Sequence, residues 1–175
     1  MNGGITSMPK LIMMSGIPTC GKSTYVQNGI DYSELSDEGF TYLSTDNYIQ
    51  EKAKKEGLTY DEIFDYTIKE ATEEMYKLLD FAIQSKMNVI WDQTNLTVKS
   101  RRKKLNKIPK DYEKVAVYRK IPLETAMIRN QERPGKVIPP NTLRDMHKVF
   151  QPPTLDEGFD KVIEFGEHCI NEMQS

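Results

Sequence analysis

Residues 16–24 read Gly-Ile-Pro-Thr-Cys-Gly-Lys-Ser-Thr, and they are the strongest indication of the fold in the sequence. Every defined position fits the pattern G-x-x-x-x-G-K-[ST], in which glycines let the backbone wrap closely round an oxyanion. A largely apolar run from Lys10 to Ser15 is typical of a buried strand, and Lys22 to Asn28 is typical of a short helix. This order predicts a phosphate-binding loop, with Lys22 on the β and γ phosphates of a nucleotide and the Ser23 hydroxyl on Mg²⁺.

The rest of the chain alternates short apolar runs with helical patterns. Such alternation predicts an α/β fold with a mostly parallel sheet of about five strands and helices on both faces. Apolar residues three and four positions apart predict one long amphipathic helix from Tyr60 to Lys86. The other predicted strands are Phe40 to Leu43, Asn88 to Trp91, Lys114 to Tyr118 and Lys161 to Phe165, and the other helices begin near Asn47, Thr97, Pro122 and Asn141.

The length of 175 residues is that of one domain, so we expect a single domain over residues 1–175. The apolar runs are far shorter than the ~20 residues of a membrane span, and the first residues do not resemble a secretory signal. Only two cysteines occur, which excludes a disulfide framework. These features predict a cytoplasmic protein that contacts no membrane, and nothing indicates an obligate protein partner.

Charged residues follow the predicted strands where phosphoryl transfer needs them. Asp46 follows the second strand and Asp92 ends the third, and ligands of parallel sheets bind beyond these carboxyl ends. One carboxylate can hold Mg²⁺ or its waters, and the other can accept a proton from an attacking hydroxyl. A plain helix N-cap is the alternative for Asp46.

A pair of arginines, Arg129 and Arg133, stands four residues apart and is followed by Pro-Gly. This spacing predicts a helical arginine lid over about residues 129–140 that closes on ATP and neutralises charge on the transferring phosphoryl group. Pro134, Gly135, Pro139 and Pro140 predict that the segment from Gln131 to Pro140 interrupts the helix that begins at Pro122. Surface arginines in solvent are the alternative reading of Arg129 and Arg133.

Several pieces of the sequence stand together in an order known from one family. They are residues 11–24, Ser44-Thr-Asp46, Trp91-Asp-Gln-Thr-Asn95, Arg129 to Arg133 with Gly135-Lys-Val-Ile-Pro139, and Phe150-Gln-Pro-Pro-Thr-Leu-Asp-Glu-Gly-Phe159. With these pieces the chain resembles the P-loop polynucleotide 5′-hydroxyl kinases, of the bacteriophage type and of the kinase half of eukaryotic DNA-repair enzymes. The resemblance implies a kinase domain alone, which transfers the γ-phosphoryl group of ATP to the 5′-hydroxyl of DNA or RNA with Mg²⁺ as cofactor.

By this resemblance each candidate residue takes a role. Asp46 would be the general base, Lys22, Arg129 and Arg133 would stabilise the ATP phosphates and the transition state, and Ser23 would hold Mg²⁺, with Asp92 reaching the metal directly or through water. The ATP site would comprise Gly16, Ile17, Pro18, Thr19, Cys20, Gly21, Lys22, Ser23, Thr24, Arg129 and Arg133. The acceptor site would comprise Asp46, Thr94, Asn95 and Arg101, with Arg101 facing the acceptor phosphate.

One position departs from the family pattern. Phage-type members carry an arginine three residues after the base, where it grips the 3′ phosphate of the acceptor, and this chain has Ile49 there. Two explanations stay open: Arg101 or its basic neighbours replace that grip, or the acceptor is not a nucleic-acid end.

The net charge of −2 hides a basic middle. Between Lys86 and Lys148 there are 16 Lys and Arg residues against 6 Asp and Glu. Seven of the basic residues crowd one predicted helix and its end, which can follow a phosphate backbone, with a solvated helix face as the alternative. They are Lys99, Arg101, Arg102, Lys103, Lys104, Lys107 and Lys110.

Three functions are therefore open. The main prediction is a polynucleotide 5′-hydroxyl kinase with nucleic-acid 5′ ends as substrate. The first alternative is a P-loop kinase of a small hydroxyl compound, such as a nucleoside, a sugar or an antibiotic, and Ile49 supports it. The second is a nucleotide-gated binding module without phosphoryl transfer, in which Asp46 and the two arginines of the lid would have no use.

Overall fold

A computed structural model describes residues 8–34 and 39–166 of the chain. The strands are β1 (Lys10–Ser15), β2 (Phe40–Leu43), β3 (Asn88–Asp92), β4 (Glu113–Tyr118) and β5 (Lys161–Glu164). The helices are α1 (Lys22–Asn28), α2 (Thr45–Glu56), α3 (Tyr60–Gln84), α4 (Val98–Leu105), α5 (Leu123–Gln131) and α6 (Pro140–Val149), and short 3-10 turns cover Tyr32–Glu34 and Leu155–Glu157. No helix among these residues is both long and apolar enough to cross a membrane.

The five strands form one parallel sheet in the order β2-β3-β1-β4-β5. The predicted α/β fold with a parallel five-stranded sheet is confirmed. Because all strands run the same way, the ends of β1, β2 and β3 lie at one edge of the sheet. That edge carries the glycine loop, Asp46 and Asp92. The prediction of a single domain over residues 1–175 includes both termini, which lie outside the described residues, and it stays a prediction.

The two faces of the sheet are covered by different helices because side chains alternate along a strand. On one face Leu11 and Met13 pack with Leu79 of α3 and Leu105 of α4. On the other face Ile12 and Met14 pack with α1 and with aromatic side chains. Helices on both faces were predicted, and the structure agrees.

The ends of α2 and α3 follow from local capping. The Ser44 side chain accepts a hydrogen bond from the backbone N–H of Asn47, so α2 begins at Thr45, two residues before the predicted start. Thr59 and Glu62 form a capping box at the start of α3. Lys86 has a φ of 55°, in the left-handed region, and α3 therefore ends at Gln84 instead of reaching Lys86.

The lid is only partly helical, and its helix is interrupted between Gln131 and Pro140 as the prolines predict. Helix α5 ends at Gln131, and residues 132–139 form an irregular turn, so Arg133 lies just beyond the helix that carries Arg129. The buried Asn130 closes this turn, since its side chain donates to the Ile138 carbonyl at 2.7 Å and accepts from the Ile138 N–H at 3.0 Å. Prolines at 134, 139 and 140 explain why no helix continues through the segment. The lid is helical only at its base.

Arg101 is a structural residue, and its predicted place facing an acceptor phosphate is wrong. Its side chain is 0% exposed and makes two 2.7 Å hydrogen bonds to the Glu157 carboxylate. Its Nη1 also donates to the carbonyl oxygens of Asn95 and Gln151, both at 2.8 Å. The guanidinium thus ties α4 to the segment that contains Glu157, and its N–H groups are directed at these acceptors within the protein.

We predict that Arg101→Ala lowers the free energy of unfolding by about 3–5 kcal/mol, because it leaves the Glu157 carboxylate buried without its partner. Urea unfolding followed by circular dichroism measures this change. The matched control is Lys103→Ala on the exposed side of the same helix, which should stay within about 0.5 kcal/mol of the parent. An Arg101→Ala variant as stable as the control would contradict this assignment.

Candidate active site

A cleft of about 600 Å³ lies at the edge of the sheet where β1, β2 and β3 end. It brings together most of the residues that the sequence singled out. Those lining it are Pro18, Thr19, Gly21, Lys22, Ser23, Thr24, Asp46, Asp92, Thr94, Arg129 and Arg133. Gln93, Tyr42 and Lys136 line it as well, and none of them was predicted as a site residue. Gly16, Ile17, Cys20, Asn95 and Arg101 are not among its lining residues.

The glycine loop needs its first glycine for steric reasons. Gly16 has a φ of 150°, and a Cβ built there would lie 2.6 Å from the Cys20 sulfur and 3.0 Å from the Arg119 carbonyl oxygen. Gly21 has a φ of 98° at the start of α1. The Lys22 ammonium folds back over this loop and donates to the carbonyls of Gly16, at 2.8 Å, and Ile17, at 3.0 Å. The loop is therefore compact, with its lysine beside the cleft.

Three members of the predicted ATP site shape the loop from behind. Ile17 is 2% exposed and Cys20 is 0% exposed, and both pack with Ala126 of α5 and Leu143 of α6. The Gly16 N–H donates to the Thr94 carbonyl at 2.9 Å. Their side chains support the loop that faces the cleft, and their predicted part in ATP binding stays a prediction.

Asp46 lies in the first turn of α2, and both of its carboxylate oxygens are hydrogen-bonded. The Lys136 ammonium donates to Oδ2 at 2.6 Å, and the Tyr60 hydroxyl donates to Oδ1 at 2.6 Å. Burial acts to raise the pKa of Asp46, but the Lys136 hydrogen bond and charge, the Tyr60 hydrogen bond and the Arg133 charge outweigh it and hold that pKa below its ordinary value. Asp46 is thus ionised at neutral pH and able to accept a proton.

Lys136 and Tyr60 were missed by sequence reasoning. The Lys136 ammonium lies 4.1 Å from the centre of the Tyr60 ring, and burial lowers the pKa of this lysine, partly offset by Asp46. The one available signal was the Pro-Gly-Lys sequence after Arg133, which brings a cation into the lid. No periodic pattern shows that Tyr60, at the start of α3, points toward Asp46.

Asp92 ends β3 and is 8% exposed. Its Oδ2 accepts a 2.5 Å hydrogen bond from the Tyr42 hydroxyl on the neighbouring strand. Burial, followed by the charge of Asp92, raises the pKa of Tyr42, so this tyrosine stays a hydrogen-bond donor. Asp92 and Ser23 line the same cleft and offer hard oxygen ligands of the kind that Mg²⁺ prefers.

A magnesium ion at this position would depend on the nucleotide. Within residues 8–34 and 39–166, no group of three His, Cys, Asp or Glu side chains is arranged to hold a metal by itself. P-loop sites commonly combine one hydroxyl, one carboxylate and phosphate oxygens around Mg²⁺. The residues present, Ser23 and Asp92, fit that combination.

The two arginines of the lid reach the cleft from α5 and from the turn after it. Arg129 donates to the Thr19 carbonyl of the glycine loop at 3.3 Å. In the described part of the chain, the Nη1 atom of Arg133 is buried and makes no hydrogen bond. A buried donor of this kind gains most from an anionic acceptor, so a phosphate oxygen suits Arg133.

The loop after β3 is only partly in the cleft. Thr94 lines it, but Asn95 is 2% exposed, has a φ of 45° and donates from Nδ2 to the Met14 carbonyl at 2.7 Å. The predicted acceptor-binding role of Asn95 is therefore corrected to a structural one. Ile49 is 0% exposed and packs with Ala53 and Ile63 between α2 and α3. The position at which the resemblance to polynucleotide kinases implies an arginine therefore faces the core in this chain.

The parallel sheet, the loop after β1 and the carboxylates at the neighbouring strand ends together define the P-loop kinase fold. Over residues 11–153 the chain matches the family AAA_33, described as an AAA domain, and it belongs to that family.

A curated relative is L-seryl-tRNA(Sec) kinase of Methanococcus maripaludis, which is 29% identical over 154 residues. The match covers 86% of this chain and 56% of that protein, so the chain spans about half the length of this relative. The resemblance to polynucleotide kinases thus holds at the level of the P-loop kinase fold.

Two solved structures share the fold at 16% identity. A proposed kinase from Chloroflexus aurantiacus has a TM-score of 0.65, with 90% of this chain and 85% of that chain covered. A structure from the PezAT toxin–antitoxin system of Streptococcus pneumoniae has a TM-score of 0.61, with 91% and 67% covered. At this identity the likeness concerns the fold alone.

We predict that Lys136→Met raises the pKa of Asp46, because the variant removes both the hydrogen bond and the positive charge that favour the ionised carboxylate. Carbon-13 NMR titration of the aspartate carboxyls, with Asp46→Asn used to assign the signal, measures the change. Lys148→Met, at an exposed position on α6, is the matched control and should leave the titration where it is. An unchanged Asp46 titration in Lys136→Met would show that the pair does not form in solution.

Proposed function

We propose that this protein is an ATP-dependent phosphotransferase that phosphorylates a hydroxyl group of a small acceptor. The observation that carries the proposal is the juxtaposition of Lys22 in the glycine loop and Asp46 in a single cleft. A site that only binds a nucleotide has no need of an ionised carboxylate on the acceptor side, where it can accept a proton from an attacking hydroxyl. Family membership and the named kinase relative support the same reaction class.

The reaction would proceed by direct transfer. The acceptor oxygen forms a bond to the γ-phosphorus as the bond between that phosphorus and the bridging oxygen breaks, and ADP leaves. Asp46 accepts the hydroxyl proton through a lone pair that Lys136 and Tyr60 leave free. Lys22, Arg129 and Arg133 neutralise the charge on the transferring group. Mg²⁺, held by Ser23 and Asp92, would supply further charge neutralisation on the phosphates.

A second cavity of about 410 Å³ adjoins the cleft on the acceptor side. Gln50, Arg133 and Lys136 line both spaces, so the second cavity lies next to the cleft that contains Asp46. Lys54 adds a third positive charge to the wall of this cavity, and no carboxylate lines it. These walls favour an acceptor that carries a negatively charged group near its reactive hydroxyl.

A small acceptor is preferred over a polynucleotide for a specific reason. The two positions considered for gripping a nucleic-acid phosphate, Arg101 and Ile49, are both 0% exposed. A polynucleotide 5′-hydroxyl is the second candidate, because the outer face and end of α4 keep five exposed basic residues. They are Lys99, Arg102, Lys103, Lys107 and Lys110.

Transfer of label from γ-labelled ATP to a panel of acceptors, with Mg²⁺, tests the proposal. The panel contains nucleosides, neutral sugars, sugar acids, sugar phosphates, aminoglycoside antibiotics, a seryl-tRNA, 5′-hydroxyl DNA and RNA oligonucleotides, and a sample without acceptor. Label on a small anionic compound supports the first reading, and label on oligonucleotides alone supports the second. Label only in released phosphate, or no turnover with bound ATP, would contradict both and favour a nucleotide switch.

We predict that Asp46→Asn lowers the transfer rate by a factor of about 10²–10⁴, since the amide cannot accept the hydroxyl proton, and leaves ATP affinity close to that of the parent. Rapid-quench kinetics and equilibrium binding measure the two quantities. Asp80→Asn, on the exposed side of α3, is the control and should change neither. Lys22→Ala should weaken both ATP binding and transfer, and full transfer by Asp46→Asn would remove Asp46 from the role of base.

A further inference from the structure

Lys104 points inward, although the sequence groups it with the exposed basic residues of α4. Its ammonium donates to the Gln93 Oε1 atom at 2.7 Å and to the Asn95 Oδ1 atom, and it lies 5.2 Å from the centre of the Trp91 ring. All three partners belong to the end of β3 and the loop that follows. Lys104 is therefore built into the support of the cleft, behind residues that line it.

This lysine is a half-buried cation that contacts neutral groups. Among residues 8–34 and 39–166 it forms no ion pair with a carboxylate, and its hydrogen-bond acceptors are two amide oxygens. Burial lowers the pKa of Lys104 to about 8. A desolvated charge without an anion costs stability, so its placement here is unusual for a residue that only fills space.

One branch of contacts leads from Lys104 to the helix that carries Asp46. The Oε1 atom of Gln93 accepts two hydrogen bonds, one from the Lys104 ammonium and one, at 3.0 Å, from the Trp91 indole N–H. The Nε2 atom of Gln93 then donates to the Thr45 hydroxyl at 3.1 Å. Thr45 begins α2 and directly precedes Asp46. The lysine thus fixes the amide that connects β3 with the first turn of α2.

A second branch leads from Lys104 to the phosphate loop. The Asn95 side chain accepts from Lys104 and donates to the Met14 carbonyl at 2.7 Å. Two carbonyl oxygens of the same loop also accept hydrogen bonds, both at 2.9 Å. The Ser15 hydroxyl donates to the Asn95 carbonyl, and the Gly16 N–H donates to the Thr94 carbonyl. The end of β1 and the first residue of the glycine loop are therefore held against residues 94–95.

We propose that Lys104 is a positioning residue: its ammonium fixes the loop of residues 93–95 and thereby sets the placement of the phosphate loop relative to Asp46. Its effect on transfer rests on the proposed function, while its effect on the phosphate loop does not. Thr94 and Gln93 line the cleft, and Lys104, which is not among its lining residues, donates to Gln93 and Asn95. Its ammonium makes no contact with the cleft itself and acts through these residues.

The charge of Lys104 gives this arrangement a pH dependence. Trp91, Gln93 and Asn95, which contact the ammonium, do not titrate, and the ionisable groups that reach the cluster from α3 and α4 are Tyr76, edge-on to Trp91, and Lys107, 5.0 Å from the centre of the Tyr76 ring. Lys104 loses its charge as pH rises through about 8, and the charge-assisted hydrogen bonds weaken.

Loss of the Lys104 charge should increase the stability of the fold and decrease the rate of transfer. Above pH 8 the folded chain has released the Lys104 proton, while the unfolded chain keeps it up to the ordinary lysine pKa of 10.5. The unfolded state then binds more protons, so this group makes the fold more stable as pH rises. A fall in transfer over this range would therefore not come from unfolding at this residue.

Trp91 is the only tryptophan of the chain, so its fluorescence reports on this cluster. We expect a fluorescence titration with a midpoint near pH 8 in the parent protein, and its loss in both Lys104→Met and Lys104→Arg. Lys107→Met, on the same helix, is the matched control and should keep the transition. The proposal is overturned if the parent shows no transition between pH 7 and 9, or if Lys104→Met keeps it.

Nucleotide binding and transfer then test positioning. Lys104→Met should bind ATP at least tenfold more weakly than Lys107→Met at pH 7, with its far-ultraviolet circular dichroism unchanged. Lys104→Arg should restore binding and extend transfer to higher pH. Unchanged ATP affinity in Lys104→Met would overturn the proposal. A loss of transfer at alkaline pH that persists in Lys104→Arg would also overturn it, because that loss would then be assigned to Lys136. If the parent phosphorylates no acceptor, the proposed function is wrong. The fluorescence titration and the ATP affinities still test whether Lys104 positions the phosphate loop.

Discussion

Parallel pairing of β1 with β3 is the constraint on which the site depends. It places the end of β1 beside the end of β3, and the short loop after β3 then holds the glycine loop through the Gly16–Thr94 and Met14–Asn95 hydrogen bonds. Pairing of β2 on the far side of β3 brings Asp46 to the same edge. Three strand ends of one sheet thus converge on one cleft, and the chemistry of the site follows from their spacing.

Most of the fold could be predicted from the sequence because its local and long-range signals agree. The buried run before Gly16, the apolar spacing along α3 and the caps around α2 all predict the observed elements to within about two residues. The misses have local causes. Lys86 adopts a left-handed conformation, which hydrophobic periodicity does not show. The prolines after Gln131 predict the interruption of the lid, but the spacing of Arg129 and Arg133 wrongly places both arginines on one helix.

The candidate site was predictable at the strand ends and not beyond them. Motif spacing brought Lys22, Asp46 and Asp92 together correctly, since parallel strands end at one edge. Composition could not show which basic side chains of the short helix α4 are buried and which are exposed. Arg101 is buried and pairs with Glu157, and Lys104 is directed inward and binds amide oxygens. A net-charge count along the chain treats these two like their exposed neighbours, so it overestimates the surface available to a nucleic acid.

In the proposed reaction the phosphate loop and Asp46 act on the same phosphoryl group. A crystal structure with Mg²⁺ and a non-hydrolysable ATP analogue can show whether they do. We expect Lys22 to leave the Gly16 and Ile17 carbonyls for the β and γ phosphates, and the γ-phosphorus to face Asp46 with space between them for one hydroxyl. A γ-phosphate directed away from Asp46, or Lys22 still bound to its own loop, would rule out this arrangement.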